Sequence, residues 1–142
     1  MSDRAFVDTN ILVYAHDRGA GDKHVRAKEL VERLWLERSG VLSTQVLQEF
    51  YVNVRRKALS PIPIDEAKHL IEDYLTWDVV INDGDSILEA MGLEDRYGLS
   101  FWDALILQAA HRSGSETLYS EDFNSDQVYG SIQVLNPLAP RT

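Results

Sequence analysis

Four acidic side chains, Asp8, Glu49, Asp103 and Asp122, stand beside segments whose apolar character marks them for burial. Asp8 ends the run Ala5-Phe6-Val7, and Glu49 interrupts Val46-Leu47-Gln48-Glu49-Phe50-Tyr51-Val52. Asp103 lies in Phe101-Trp102-Asp103-Ala104-Leu105-Ile106-Leu107, and Asp122 follows Thr117-Leu118-Tyr119-Ser120-Glu121. A fold that gathered them would set like charges against one another. Two carboxylates about 5 Å apart at an effective dielectric of ~20 repel by roughly 3 kcal/mol. Such a group is tolerable with raised pKa values or with a hard divalent cation among the oxygens. The reading adopted is the cation.

Each acid also has a plain structural reading. Asp8 precedes Thr9-Asn10, which are good helix-capping residues, yet one cap suffices and three oxygen-bearing side chains stand in a row. Glu49 could be an exposed helix residue, although it flanks the apolar row Val46, Phe50 and Val54. Ser100 and Asp103 have the spacing of a capping box. That role leaves lone pairs on the carboxylate for a cation. Asp122 sits in a turn, Ser120-Glu121-Asp122-Phe123-Asn124, where pattern alone leaves open which of the two acids points inward.

The elements that must position these groups alternate along the chain. Ala5 to Asp8 reads as a strand, and Ile11 to Ala15 as the start of a helix. Ala27, Leu30, Val31, Leu34 and Trp35 recur at the spacing of one buried helix face. Val41-Leu42-Ser43 reads as a second strand, with Ser43 or Thr44 capping a helix to about Ala58. After the breaker Ser60-Pro61-Ile62-Pro63, the residues Ile64, Ala67, Ile71, Tyr74 and Leu75 mark another amphipathic helix. Val79-Val80-Ile81 is a third strand. Two helices follow, from Ser86 to about Tyr97 and from Ser100 to Arg112, and strands at Leu118-Tyr119 and Ile132-Val134 close the set. Alternation of this kind implies a parallel sheet of about five strands covered on both faces. Ligands of such sheets bind beyond the carboxyl ends of the strands, where Asp8 and Asp122 fall. Asp103 falls at a helix N-terminus, which favours anions.

With 142 residues and no internal linker, the chain reads as one domain, residues 1–142. The absence of cysteine excludes disulfides, zinc thiolate sites and a thiol nucleophile, and suits a cytoplasmic location. No signal-peptide pattern opens the chain, and Ala104 to Ala110 is far shorter than the ~18 residues needed to span a bilayer. A soluble protein without membrane attachment is expected. The net charge of −9 argues against a duplex-binding protein with a basic face. A bound divalent ion relaxes that objection for an enzyme whose acids hold it. The basic groups at Arg55-Arg56-Lys57 and across Lys23, His24, Arg26 and Lys28 read as solvated helix faces. His16, His24, His69 and His111 show no ligand pair, so no zinc site is expected. Trp35, Trp77 and Tyr97 read as core aromatics, with a dimer surface as the alternative.

Taken in order, Asp8-Thr9-Asn10, Glu49, Ser100-Phe101-Trp102-Asp103-Ala104-Leu105-Ile106 and Ser120-Glu121-Asp122-Phe123 resemble PIN-domain ribonucleases. The subgroup they resemble is the VapC-type toxins of type II toxin–antitoxin pairs. The likeness runs over nearly the whole chain, to Val134-Leu135-Asn136-Pro137. It implies a three-layer α/β/α sandwich with a five-stranded parallel sheet, and an acidic pocket binding Mg²⁺ or Mn²⁺. By position, Asp8 and Asp103 would be direct ligands, and Glu49 and Asp122 would complete the catalytic quartet directly or through water. Thr9, Asn10, Ser43 and Ser120 would orient them. The family habit of placing its last acid two residues after Thr or Ser selects Asp122 over Glu121. The implied activity is endonucleolytic hydrolysis of RNA by a metal-activated water, leaving a 5′-phosphate and a 3′-hydroxyl. Implied partners are an RNA substrate, a second copy in a homodimer, and a cognate antitoxin that reaches a basic side chain into the pocket.

Two other classes fit less well. A haloacid-dehalogenase-like phosphatase wants a second Asp where Asn10 stands, and a receiver-like phosphotransfer domain wants a late lysine, whereas the last one here is Lys68. A non-catalytic RNA- or protein-binding module of the same fold is the remaining alternative.

Overall fold

The computed structural model describes residues 3–124 and 126–140. Among them the chain alternates β1 (Ala5–Val7), α1 (Thr9–His16), α2 (Asp22–Glu37), β2 (Gly40–Ser43), α3 (Thr44–Arg56) and α4 (Ile64–Tyr74). It continues through β3 (Asp78–Val80), α5 (Gly84–Tyr97), α6 (Phe101–Arg112), β4 (Thr117–Tyr119), β5 (Val128–Tyr129) and β6 (Ile132–Leu135). Every residue of β1 is buried, as a central parallel strand requires.

The strands form one sheet in the order β3-β2-β1-β4-β6-β5. The first five are parallel, and they are the five that the sequence predicts. The sixth, β5, adds an antiparallel edge to β6, so the sheet is larger than expected by one strand. Only two residues long and with Val128 exposed, β5 has no apolar run to announce it. The hairpin closes through Gly130, whose φ of 64 lies in the left-handed region that glycine enters without strain.

Helices α1 to α4 pack among themselves, and α5 packs on α6. This pairing follows from handedness. The crossovers from β1 to β2 and from β2 to β3 move one way across the sheet, and the return from β3 to β4 moves the other way. Right-handed connections therefore put α5 and α6 on the opposite face. The three-layer α/β/α sandwich is the result.

The main core joins Phe6, Val7, Ile11, Leu12, Leu42, Phe50, Leu107, Leu118 and Ile132. Trp35, Trp77 and Tyr97 are half-buried and pack against it. The ring of Trp77 lies 5.1 Å from Trp35 and 5.2 Å from Tyr74. It also fills the space a Cβ on Gly40 would need. His16 packs edge-on to Phe50 and Tyr74, and its Nε2 hydrogen-bonds the Tyr74 hydroxyl at 2.6 Å. Burial, with smaller contributions from His24, Arg18 and Lys28, pushes the imidazole pKa down to about 4. No helix among the described residues is long and apolar enough to cross a membrane.

Candidate active site

Asp8 follows the last residue of β1, beside the first residues after β4. The strand order reverses between these two neighbours, so the crevice for ligands opens at their carboxyl ends. The Asp8 amide donates to the Tyr119 carbonyl at 2.9 Å. The Asp8 side chain caps α1, accepting the Thr9 amide on Oδ1 at 2.7 Å, where the helix dipole favours a negative charge. Thr9 and Asn10, expected from the sequence to be the caps, are therefore free for other bonds. Ser120 Oγ donates to Asp8 Oδ2 at 2.7 Å across the reversal, and the same oxygen accepts the Asp122 amide at 3.1 Å. One hydroxyl thus ties both acids to the end of β4.

Asp8 is only 4% exposed. Burial raises its pKa to about 7 against the opposing bonds from Ser120 and Thr9, and the charges of Asp122 and Asp103 raise it further. Asp103, half-buried in the first turn of α6, has its pKa raised by burial, then by Asp122 and, more weakly, by Glu49. Ser100 caps α6 by accepting the Asp103 amide at 3.1 Å. The reciprocal capping box predicted there occurs instead at α5, between Asp83 and Ser86. Asp8 thus feels the charges of Asp122 and Asp103, and Asp103 those of Asp122 and Glu49.

The surrounding polar groups divide. Thr9 Oγ1 donates to Glu49 Oε1 at 2.7 Å, locking α1 to α3. Asn10 Oδ1 accepts the Glu121 amide at 3.2 Å, while its buried Nδ2 has no hydrogen-bond partner among the described residues. Ser43, one of the two residues expected to cap α3, does so by accepting the Val46 amide at 3.3 Å. The Glu121 carboxylate turns to Lys23, 2.6 Å away. Sequence reasoning placed Lys23 on a solvated face, and no local pattern links residues 98 positions apart. Tyr129 was missed as well. Burial and then Asp103 raise its phenol pKa, and its ring packs edge-on to Tyr97 and Phe123.

As placed, no three carboxylate or imidazole groups among the described residues converge closely enough to share one ion. The donor set nevertheless suits a hard divalent cation. It is all oxygen, the pKa values of Asp8 and Asp103 are raised by burial and neighbouring carboxylates, and a positive charge would relieve both effects.

A sequence model of the PIN domain matches residues 5–130. The chain belongs to the PIN-domain family. No curated protein sequence matches it. Solved structures share the PIN fold. The Mycobacterium tuberculosis toxin VapC20, described as cleaving the sarcin-ricin loop, aligns over 83% of this chain and 89% of its own with a TM-score of 0.63 and 22% identity. A toxin–antitoxin complex from Klebsiella pneumoniae aligns over 94% of this chain and 97% of that one, with a TM-score of 0.69 and 21% identity. DNA-bound VapBC from Salmonella typhimurium aligns over the same shares with a TM-score of 0.62 and 16% identity.

Proposed function

We propose that this PIN domain is a Mg²⁺- or Mn²⁺-dependent endoribonuclease, the VapC-type toxin of a toxin–antitoxin pair. The observation that carries the reading is Asp8, buried at the strand reversal with its pKa raised to about 7 in the company of Asp103 and Asp122. Asp8 and Asp103 would hold the cation, with Glu49 and Asp122 acting directly or through water. When bound, a divalent ion lowers the pKa of a water and offsets charge developing on the phosphate.

The chain's own residues do the positioning. Ser120 and the Thr9 amide fix the Asp8 carboxylate through both oxygens, and the Thr9 hydroxyl holds Glu49. The positive end of α6 favours negative charge at Asp103 and at an approaching phosphodiester. Lys23, tied to the Glu121 carboxylate one residue before Asp122, would offer a cation to an RNA backbone. A cognate antitoxin would compete for the same carboxylates with a basic side chain, and a homodimer is the expected assembly.

The test is cleavage of RNA by the wild type with Mn²⁺ or Mg²⁺, with chelator, and by Asp8→Asn. Activity should need the metal and fall by at least ~100-fold in the variant, the scale of losing one electrostatic element of an active site. Cleavage indifferent to both chelator and substitution would remove the reading.

A further inference from the structure

All of the chain's aromatic residues lie in the described regions, and every one is buried or half-buried except Trp102. Its side chain is 63% exposed. The rest of α6 does not share that exposure, since Ala104 through Ala110 are all buried. The first turn of this helix emerges from the buried stretch, carrying Trp102 next to Asp103. Trp102 is the chain neighbour of Asp103, so its backbone shares the helix start that carries one of the acids.

The backbone beneath the ring is held from two sides. Ser100 caps the turn, and Gln45 Nε2 donates to the Trp102 carbonyl at 3.3 Å. Gln45 and Glu49 lie one turn apart on the same side of α3, so the element that fixes Trp102 also carries an acid of the site. The Phe101 ring meets the indole edge-on, with centroids 5.2 Å apart. An exposed indole on an anchored backbone, beside groups suited to phosphodiester chemistry, presents a flat face that packing leaves open.

From this we infer that Trp102 is a base-stacking platform, holding an unpaired base of single-stranded RNA next to the phosphate to be cut. The inference rests on the nuclease reading for its substrate. A chain with net charge −9 has little non-specific backbone attraction to draw on, so contacts to the bases gain weight. Stacking on an aromatic face is sequence-tolerant and is available to bases that are splayed out of a helix. The substrate class that follows is a loop, bulge or unstructured strand, with paired RNA excluded from the platform.

The experiment uses the Asp8→Asn protein in chelator, so that binding is measured without cleavage. A mixed-sequence oligoribonucleotide is added, alone or annealed to its complement, and tryptophan fluorescence is followed with and without Trp102→Phe. The single strand should quench the Trp102-dependent emission and the duplex should not. In the metal-loaded wild-type background, Trp102→Ala should raise KM on the order of tenfold with kcat within about threefold, and Trp102→Phe should restore most of the loss. Quenching that persists unchanged in Trp102→Phe, or an Ala variant with wild-type KM, would overturn the platform while leaving cleavage intact. So would a Trp102→Ala protein whose altered KM follows a changed oligomeric state by sedimentation, which makes the ring a protein contact. If no metal supports cleavage and Trp102 is still quenched by the single strand, the platform stands and the nuclease reading fails.

Discussion

Asp8→Asn should make the metal-free protein more stable while removing its activity. The folded protein raises the Asp8 pKa from 3.8 to about 7, so it binds this proton more tightly than the unfolded chain does. The stability Asp8 contributes is therefore fully present below about pH 3.8 and is lost as pH rises through 7. With each pKa unit equivalent to 1.36 kcal/mol, a shift of about three units makes the ionised carboxylate a liability of about 4 kcal/mol at pH 8. The amide has nearly the same shape. Its oxygen can still accept the Thr9 amide, and its NH₂ can donate to Ser120 Oγ. The variant should thus gain up to about 4 kcal/mol, or on the order of 10 °C in Tm for a chain of this length. The gap should narrow as pH falls from 8 towards 4. A divalent ion should close it from the other side, because Mn²⁺ at 100 times its Kd would stabilise the wild type by about 2.7 kcal/mol. Thermal melts of both proteins at pH 5, 7 and 8, with and without Mn²⁺, read all of this. Equal stabilities at pH 8, or an Asn variant that Mn²⁺ stabilises as well as the wild type, would refute the claim that burial and neighbouring charge oppose ionisation here.

Two further predictions concern the scaffold. Burial lowers the His16 pKa from 6.5 to about 4, so the stability held by the neutral ring is lost as pH falls through that window, by roughly 3 kcal/mol in full. His16→Gln should lose less Tm than the wild type between pH 7 and pH 4.5, and parallel losses in the two proteins would exclude the effect. Asp17, only 3% exposed, accepts the amides of Gly19, Leu59 and Ser60 at 3.2, 2.8 and 2.9 Å, joining the end of α1 to the segment after α3. Asp17→Ala should cost on the order of 3 kcal/mol in denaturant unfolding, because it leaves three amides without their carboxylate.

Periodicity was enough to find the helices and the five parallel strands, because buried parallel strands and amphipathic helices write their environment into consecutive residues. It could not find β5, whose two residues owe their conformation to pairing with β6 rather than to their own side chains. The same division runs through the site. Asp8 and Asp103 are legible because a charge beside an apolar run is locally anomalous. The carboxylate of Glu121 and the amine of Lys23 are each ordinary on a surface, and only the fold makes them a pair. Ser43 was legible as a helix cap, because an unsatisfied amide at the start of α3 takes its hydroxyl as acceptor. The helix cap expected of Thr9-Asn10 falls instead to Asp8. A carboxylate is the better partner for a helix N-terminus, and once Asp8 takes the cap, Thr9 is available to reach Glu49.

That exchange of partners bears on how the site can be both stable and strained. The backbone around the acids is fixed by bonds that do not involve a cation: Asp8 to Tyr119, Ser120 to both Asp8 and Asp122, Ser100 to Asp103, and Glu121 to Asn10. Of the four carboxylates, Asp8 is buried and hydrogen-bonded through both oxygens, whereas Asp122 is exposed, with its main chain held by Ser120. Any convergence on an ion would start from backbone positions that these bonds already hold. Preorganisation of this kind keeps the reorganisation small when charge develops. It also explains why Ser120 matters more than its size suggests. Without its hydroxyl, Asp8 loses the donor that most lowers its pKa, and the Asp122 amide loses its acceptor in the same step.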